Sequence, residues 1–309
     1  MSHNAWTEVL PRILHRSLPA QTAAAGVALT SGGLHIDRPL RQRLFGAPRL
    51  RQVLSGKTVL VTGASSGIGR AVAHRVAEAG ATTVLVARSE DTLRGLHREL
   101  VLGGGRVFSY PADLSIAAST DALLERLASD GLAIDVLINN AGRSIRRPLL
   151  EAAQRLHDYE RTMALNYFGA LRLILGLVRG MRSRKSGHII NVSSAGVQMG
   201  TPLFSAYVAS KAALDAFSRV AATELGADGI RFSTVYMPLV RTRMIEPTRE
   251  YRDAPALSPA RAADLVLRPL ITHEKHLGTR LASWISVGYA LSPAMVERVL
   301  SFGQSLLNA

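Results

Sequence analysis

The stretch VLVTGASSGIG, residues 59–69, joins a run of apolar residues to three closely spaced glycines and decides the fold. The apolar run predicts a buried strand, and the residues that follow, RAVAHRVAEAG, show helical spacing. A glycine turn between a strand and a helix lets backbone approach a ligand closely and directs the helix N-terminus at it. Because that terminus favours negative charge, the stretch predicts a dinucleotide site formed by Gly63, Ser65, Ser66, Gly67, Ile68 and Gly69.

The alternation of short apolar runs and helical stretches continues along the chain from residue 57. Strands that are apolar throughout, each followed by a helix, are typical of a parallel sheet covered on both faces. About six strands are expected, including HIINVS at 188–193 and IRFSTVYM at 230–237, with a long helix near 152–183. The predicted fold class is therefore α/β, a doubly wound parallel sheet of Rossmann type in a single domain.

The patterning divides the chain into three segments. Residues 1–52 show no sustained period, end in a basic run and are expected to be a loosely ordered leader. Residues 53–272 form the Rossmann-type domain, and residues 273–309 form an apolar C-terminal extension. Three roles are open for this extension: packing at the sheet edge, covering an acyl chain, or resting on a membrane.

Composition excludes several classes of function. The chain has no cysteine, so disulfides, thiolate metal sites and a thioacyl-enzyme are excluded, and the scattered histidines lack metal-ligand spacing. A net charge of +14 and a pI near 11.0 favour anionic partners. Without a nucleic-acid-binding motif, we expect a small-molecule ligand, no metal and no nucleic acid.

Hydropathy bears on location. No uncharged apolar run reaches the length of about 18 residues that a membrane span needs. The apolar stretch LPAQTAAAGVAL contains Gln21 and Thr22 and follows Glu8, which makes a poor secretory signal. The expected location is cytoplasmic, with association at the inner face of the membrane left open.

The stretch SAYVASKAAL, residues 205–214, places Tyr207 and Lys211 one helical turn apart on the same face. A phenol with a pKa of about 10 is poorly matched to proton transfer near neutrality. The ammonium of Lys211, together with the positively charged nicotinamide of an oxidised dinucleotide, would lower that pKa. Tyr207 is thus a candidate proton donor. Ser194, at the carboxyl end of a predicted strand, is a candidate to stabilise a developing oxyanion.

Six motifs occur in order: TGASSGIG, Asp113 in ADLS, NNAG at 139–142, Asn166 in ALNYFG, Ser194 in NVSS, and YVASK at 207–211. In these motifs the chain resembles the short-chain dehydrogenase/reductase family over about residues 55–245. The resemblance implies a catalytic tetrad of Asn166, Ser194, Tyr207 and Lys211, in which Asn166 helps to hold a water linked to the lysine. It also implies cofactor contacts from Tyr207 and Lys211, from Asp113 beside the adenine, from Asn140 and Gly142 beside the ribose, and from Thr242 at the nicotinamide carboxamide. Asp113 can also cap the helix that starts near Ser115, and a purely structural turn is the alternative for Asn140 and Gly142.

The residue after the second predicted strand indicates which cofactor is bound. An NAD-specific fold places Asp or Glu there to bind the ribose 2′-hydroxyl, whereas this chain has Arg88. A guanidinium pairs well with a 2′-phosphate. We therefore expect NADPH (NADP), with a surface arginine at a strand end as the alternative.

Further stretches, including LINNAGRSIRRPL and YMPLVRTRMIEPT, resemble the bacterial fatty acyl-CoA reductases of this family. The resemblance implies reduction of a long-chain acyl-CoA to a fatty aldehyde, by direct hydride transfer because the chain has no cysteine. Arg143, Arg146 and Arg147 are candidates for the coenzyme A phosphates, or form a solvated basic loop. Arg243 replaces the proline that this branch has in VRTPM.

Two alternatives to an acyl-CoA reductase stay open. The same tetrad suits an NADP(H)-dependent ketone or secondary-alcohol oxidoreductase acting on a 3-oxoacyl or other lipid substrate. The basic leader and apolar extension also suit a non-catalytic NADP(H)-binding sensor or scaffold. The family resemblance further implies a homo-oligomer.

Overall fold

The computed structural model describes residues 47–308, and at their centre lies one sheet of seven parallel strands. The strands are β1 Thr58–Thr62, β2 Thr82–Ala87, β3 Val107–Pro111, β4 Val136–Asn139, β5 Gly187–Ser194, β6 Ile230–Met237 and β7 His276–Leu277. Their spatial order is β3-β2-β1-β4-β5-β6-β7. The order reverses between β1 and β4, and ligands of open α/β sheets bind at the carboxyl ends beside such a switch point.

Helices follow nearly every strand. They are α1 Ala47–Leu54, α2 Gly67–Glu78, α3 Glu90–Leu102, α4 Ala117–Ser129, α5 Leu149–Ala152, α6 Leu156–Met163, α7 Ala170–Ser183, α8 Ala195–Met199, α9 Ser205–Leu225, α10 Pro259–Thr272, α11 Arg280–Leu291 and α12 Pro293–Asn308. A π-helical turn, Ala164–Gly169, joins α6 to α7. The long helix expected near 152–183 is therefore two helices joined through this turn, preceded by the short α5.

Two apolar cores lie on opposite faces of the sheet. On one face α1, α2, α3 and α10 pack against the strands, and on the other face α4, α7 and α9 do so. The predicted doubly wound α/β fold is confirmed.

The expected leader differs from the structure at its C-terminal end. Its first 46 residues lie outside the described part of the chain, but α1 begins at Ala47 and packs into the core through Leu50 and Leu54. Both leucines are buried, while Arg49 and Arg51, on either side of Leu50, are exposed. The domain thus starts before residue 53. The basic run around Leu50 made this helix look like part of the leader in the sequence.

The C-terminal boundary also differs from the expectation. Strand β7 lies beyond residue 272 and pairs with β6, with Thr234 opposite His276 and Val235 opposite Leu277. The segment expected to be only an apolar extension therefore supplies the seventh strand. Its two helices, α11 and α12, follow and pack against each other. Within residues 47–308, no helix combines the length and the hydropathy that crossing a membrane requires.

We predict that Leu54→Ala lowers the free energy of unfolding by about 2–4 kcal/mol, because it removes a fully buried side chain and leaves a cavity. Chemical denaturation followed by circular dichroism measures this change. Val53→Ala on the same helix is the matched control and should change stability by less than about 0.5 kcal/mol, since Val53 is exposed. Equal effects of the two substitutions would show that α1 is not part of the core.

Candidate active site

The turn after β1 has the backbone conformation that its glycines permit. Gly63 and Gly67 have φ angles of +64° and +52°, which other residues rarely adopt. Gly69 needs glycine for a different reason, because a Cβ atom there would lie 2.2 Å from the carbonyl oxygen of Gly63. The first turn of α2 therefore packs directly on the end of β1.

The N-terminus of α2 is suited to an anion. Ser66 precedes the helix in an extended conformation, its side chain makes no capping hydrogen bond, and the first turn contains no acidic residue. The N–H groups of this turn thus lack the usual side-chain acceptor. Ser65 is half-buried beside Ser66, and Ile68 packs against the core. This arrangement fits the pyrophosphate of a dinucleotide.

Thr242 lies against the same turn, as expected for a cofactor contact. Its Cγ2 atom is 3.0 Å from the position that a Cβ of Gly67 would take. Thr242 follows β6, whereas Gly67 follows β1, so the fold joins two distant parts of the chain. Its predicted contact with the nicotinamide stays a prediction.

The turn after β4 is bound to the glycine turn through Thr62 and Asn140. The Thr62 hydroxyl accepts hydrogen bonds from the backbone N–H groups of Asn140 and Ala141, both at 2.9 Å. Asn140 Nδ2 donates to the Thr62 carbonyl at 2.9 Å. The Asn140 side chain therefore fixes the two turns relative to each other. Thr62 was not among the predicted site residues, although it lies within the quoted motif.

Lys211 is buried at the centre of this region. Its Nζ donates to the carbonyl of Val192, near the end of β5, at 2.8 Å. Nζ and Asn166 Oδ1 both lie within 3.4 Å of the position that a Cβ of Gly142 would take. A side chain at position 142 would occupy this space. Burial lowers the pKa of the Lys211 ammonium to about 8.

Asn166 holds the loop after β4. Its Nδ2 donates to the carbonyl of Arg143 and to Ser210 Oγ, both at 2.9 Å, and its Oδ1 accepts from the Arg143 N–H at 2.8 Å. Asn166 belongs to the π-helical turn, a distortion often found at functional sites. Its side chain is thus committed to protein partners, and its predicted role in holding a water stays a prediction.

Tyr207 and Ser194 meet at the carboxyl end of β5. Ser194 ends the strand and begins α8, where its Oγ accepts from the Gly196 N–H at 3.1 Å. Burial raises the pKa of the Tyr207 phenol, a hydrogen bond with Ser194 opposes this rise, and the charge of Tyr251 adds to it. Among the polypeptide's own groups, burial therefore dominates the pKa of Tyr207. The lowering expected from Lys211 together with an oxidised nicotinamide stays a prediction.

Arg88, Asp113 and Arg143 form a charged cluster near the ends of β2 and β3. Burial opposes ionisation of Asp113, but its hydrogen bonds from Ser115 and the charges of Arg88 and Arg143 lower its pKa. The Ser115 N–H and hydroxyl donate to Asp113 Oδ1 at 2.9 and 2.6 Å. Asp113 therefore forms a local turn rather than a cap, since α4 begins only at Ala117.

The three candidate substrate arginines separate in the structure. The charge of Arg143 lowers the pKa of Asp113, the residue expected to border the adenine. The Nε of Arg147 is 3.1 Å from buried Asp158, which also pairs with Arg155 and Arg161. Arg146 is exposed on the same loop. The predicted coenzyme A contacts stay a prediction, and this geometry favours other roles for Arg143 and Arg147.

Arg241 holds the loop after β6 and was missed by the sequence analysis. Its guanidinium donates to the carbonyls of Tyr251, Arg252 and Ala254 at 2.9, 2.8 and 2.8 Å. The Tyr251 ring stacks on Phe204, the residue before α9, with 6.2 Å between centroids. Arg241 thereby places Tyr251 beside the helix that carries Tyr207. In the sequence, only its position next to Thr242 pointed to a role at the site. Its carbonyl partners could not be predicted, because they depend on the path of the loop.

Two buried asparagines, Asn139 and Asn191, were also missed. Asn139 Nδ2 donates to Asn191 Oδ1 at 2.9 Å, and Asn191 Nδ2 donates to Ser218 Oγ at 2.7 Å. The chain of bonds links β4 through β5 to α9. It positions the helix that carries Tyr207 and Lys211 relative to the sheet.

Several known proteins are similar to this chain. A family model described as short chain dehydrogenase matches residues 57–253, a range that contains every strand except β7. The chain is 47% identical over 256 residues to a fatty acyl-CoA reductase of Acinetobacter baylyi, which is 83% of this chain and 87% of that protein. It is 45% identical over 269 residues to a fatty acyl-CoA reductase of Mycobacterium tuberculosis, 86% of this chain and 92% of that one. A solved metagenomic short-chain oxidoreductase in complex with NADP is 34% identical, with a TM-score of 0.61 over 71% of this chain and 92% of that chain.

We predict that Gly69→Ala weakens NADPH binding by about a hundredfold or more, because the added Cβ would displace the glycine turn. Fluorescence titration with NADPH measures the Kd. Gly95→Ala is the matched control, since Gly95 lies in helix α3 and its Cβ would meet nothing within 4 Å. The control should bind NADPH normally and gain up to about 1 kcal/mol of stability. Unchanged binding by Gly69→Ala would contradict the predicted site.

We predict a pH-dependent difference in stability between the wild-type protein and Lys211→Met. The folded protein releases the Lys211 proton near pH 8, whereas an unfolded lysine keeps it to about pH 10.4. The unfolded chain therefore binds more protons in this window, and the contribution of Lys211 to stability rises with pH. The unfolding free energy of the wild type relative to the variant should increase by about 1 kcal/mol per pH unit from pH 8 to 10. A constant difference across this range would show that the pKa of Lys211 is not lowered in the folded protein.

We predict that Arg241→Met raises the KM for the carbonyl substrate about tenfold, because three carbonyls of the loop lose a charged donor. The Kd for NADPH should stay within about twofold. Steady-state kinetics and NADPH titration separate the two effects. Arg249→Met, which removes an exposed charge from the same loop, is the control and should behave like the wild type. The same KM for both variants would remove Arg241 from this role.

Proposed function

Because this chain belongs to the short-chain dehydrogenase family, we propose that it is an NADPH-dependent reductase that converts a long-chain fatty acyl-CoA to the fatty aldehyde. The observation that carries the substrate is the identity of 47% and 45% to two fatty acyl-CoA reductases, each across more than four fifths of this chain. The arrangement of Ser194, Tyr207 and Lys211 supports the reductase chemistry. The site residues thus support reduction of a carbonyl group, and the two relatives support a fatty acyl-CoA as the substrate.

The residues of the glycine turn are suited to hold NADPH, which supplies a hydride when bound. The uncapped N-terminus of α2 fits the pyrophosphate, and Thr242 lies next to Gly67. Arg88, with Arg143 near it across Asp113, offers positive charge to a 2′-phosphate. The solved relative in complex with NADP supports the same cofactor here.

Ser194 and Tyr207 act together on the substrate oxygen. Ser194 hydrogen-bonds the oxygen and stabilises the negative charge that develops there. Tyr207 donates its phenolic proton to that oxygen, and the buried charge of Lys211 favours the phenolate that remains. Asn166 acts on the same site through the loop of Arg143 and through Ser210.

The absence of cysteine fixes the route for a thioester. The acyl group cannot move to an enzyme thiol, so the thioester carbonyl itself must be reduced. Protonation of its oxygen gives a hemithioacetal, which breaks its carbon–sulfur bond to release the aldehyde and free coenzyme A. One NADPH and one proton are consumed for each aldehyde and each coenzyme A formed.

A homo-oligomer and a cytoplasmic location stay predictions from the sequence.

Anaerobic incubation with NADPH and palmitoyl-CoA tests this proposal. We expect equal amounts of free coenzyme A and hexadecanal, and a higher kcat/KM with NADPH than with NADH. Tyr207→Phe should lower kcat by about a thousandfold while the Kd for NADPH stays within about twofold, because the proton donor is lost and the turn is untouched.

The matched control is Tyr159→Phe. It removes a hydroxyl of α6 that forms a hydrogen bond of 2.8 Å with Ser205 on α9, the helix that carries Tyr207. Its activity should stay within about threefold of the wild type. Reduction of simple ketones without release of coenzyme A from palmitoyl-CoA would reject the acyl-CoA assignment in favour of a ketone reductase. NADPH binding without any turnover would favour a non-catalytic sensor.

A further inference from the structure

Helices α11 and α12 present an apolar face to solvent. Trp284, Val287 and Leu291 lie three and four residues apart along α11 and are 70%, 47% and 82% exposed. Met295, at the start of α12, is 62% exposed. Single exposed apolar side chains are common, but a tryptophan among three aliphatic residues along one helical hairpin is not. We name these four residues the apolar face.

The opposite side of α11 packs near the active site. The hydroxyl of Tyr289 lies 2.8 Å from the position that a Cβ of Gly200 would take. Gly200 ends α8, the helix that Ser194 begins. The hairpin is therefore held beside the catalytic serine, and the apolar face points away from that contact.

The charges around the apolar face are mostly positive. Helix α11 contains no acidic residue, and it begins at exposed Arg280. Exposed Lys275 precedes it, and α12 carries exposed Arg298 beside its only acidic residue, Glu297. The whole chain has a net charge of +14. A partner with an apolar interior and a negative surface complements this region.

We propose that the apolar face docks this protein on the surface of a bilayer that contains anionic phospholipid. The 12 residues of α11 extend about 18 Å, so the helix lies in the plane of the interface rather than across the bilayer. Trp284 enters the boundary between headgroups and acyl chains, where tryptophan is favoured. Docking itself does not depend on the proposed substrate, but it brings the site beside Ser194 close to a lipid surface.

Intrinsic fluorescence offers a direct test, because the chain has only two tryptophans, Trp6 and Trp284. In the full-length Trp6→Phe variant, Trp284 is the single reporter. We expect its emission to shift to shorter wavelength on adding vesicles of phosphatidylcholine with 30% phosphatidylglycerol. The shift should be smaller with phosphatidylcholine alone and should weaken in 0.5 M NaCl, since salt screens the charge attraction. An unchanged spectrum with the anionic vesicles would overturn the proposal.

Co-sedimentation with the same vesicles tests the apolar face in the otherwise native chain. The double substitution Trp284→Ser and Leu291→Ser should weaken vesicle binding by about tenfold or more. Leu102→Ser, at a leucine that is 89% exposed on α3, is the matched control and should bind like the wild type. Equal binding by the double variant and the control would overturn the proposal.

NADPH binding and self-association complete the test. The double variant should keep the wild-type Kd for NADPH, which would show that it is folded. This control is independent of whether the substrate is an acyl-CoA. If the wild type instead forms a concentration-dependent oligomer that the double variant loses, without vesicle binding, the apolar face belongs to a second copy of the chain. That result would replace the membrane by a protein partner.

Discussion

Burial of the Lys211 ammonium is the interaction on which the rest of the site depends. A charge removed from water is costly unless polar groups surround it, and Val192 supplies a carbonyl at 2.8 Å. The remaining cost lowers the pKa of Lys211 to about 8. The ammonium therefore stays mostly charged near neutrality, but its pKa is only about one unit above pH 7. In a site of low dielectric constant, this charge acts strongly on its neighbours. The fold therefore has to place Lys211 accurately, and its hydrogen bond to the Val192 carbonyl ties it to the end of β5.

Three sets of contacts position the site from different parts of the chain. Thr62 and Asn140 join the two turns at the switch point of the sheet. Asn166 holds the loop that follows β4, and Arg241 holds the loop that follows β6. Because each set uses hydrogen bonds to backbone, the site is organised before a substrate arrives, which is what electrostatic catalysis requires.

The sequence predicts the fold and the centre of the site well, because both depend on local patterns. The strand, turn and helix around Gly63 and Gly69 are contiguous, and so are Tyr207 and Lys211 on one helical turn. Ser194 was located by its place at a strand end. Motif order then assigned their roles, and the structure brings all of these residues to the carboxyl edge of the sheet.

What the sequence did not predict depends on contacts between distant segments. Helix α1 has only two buried leucines, one of them flanked by arginines, and β7 has only two residues. Both elements are therefore too short for a sustained hydrophobic pattern. The carbonyls bound by Arg241 lie 10–13 residues away and depend on the path of the loop.

The pKa of Tyr207 in the protein without cofactor was also not predicted, because the expected lowering requires Lys211 and the oxidised nicotinamide together. Proximity of Lys211 along the helix was visible in the sequence, whereas the degree of burial of the phenol was not. Burial raises this pKa, and a proton donor that returns to its resting state near neutrality needs a lower one. The polypeptide alone does not supply enough positive charge. We infer that the oxidised nicotinamide, which carries a positive charge, supplies the remainder when it is bound beside Tyr207.

Titration of Tyr207 with and without NADP⁺ tests this account most directly. Tyrosine labelled with ¹³C at Cζ, observed by NMR in the wild type and assigned by comparison with Tyr207→Phe, reports the pKa of the phenol. The account predicts that the pKa of the phenol lies above that of a free tyrosine in the protein alone and falls when NADP⁺ is added. A pKa that does not change on addition of NADP⁺ would contradict it, because Tyr207 would then lie outside the influence of the cofactor.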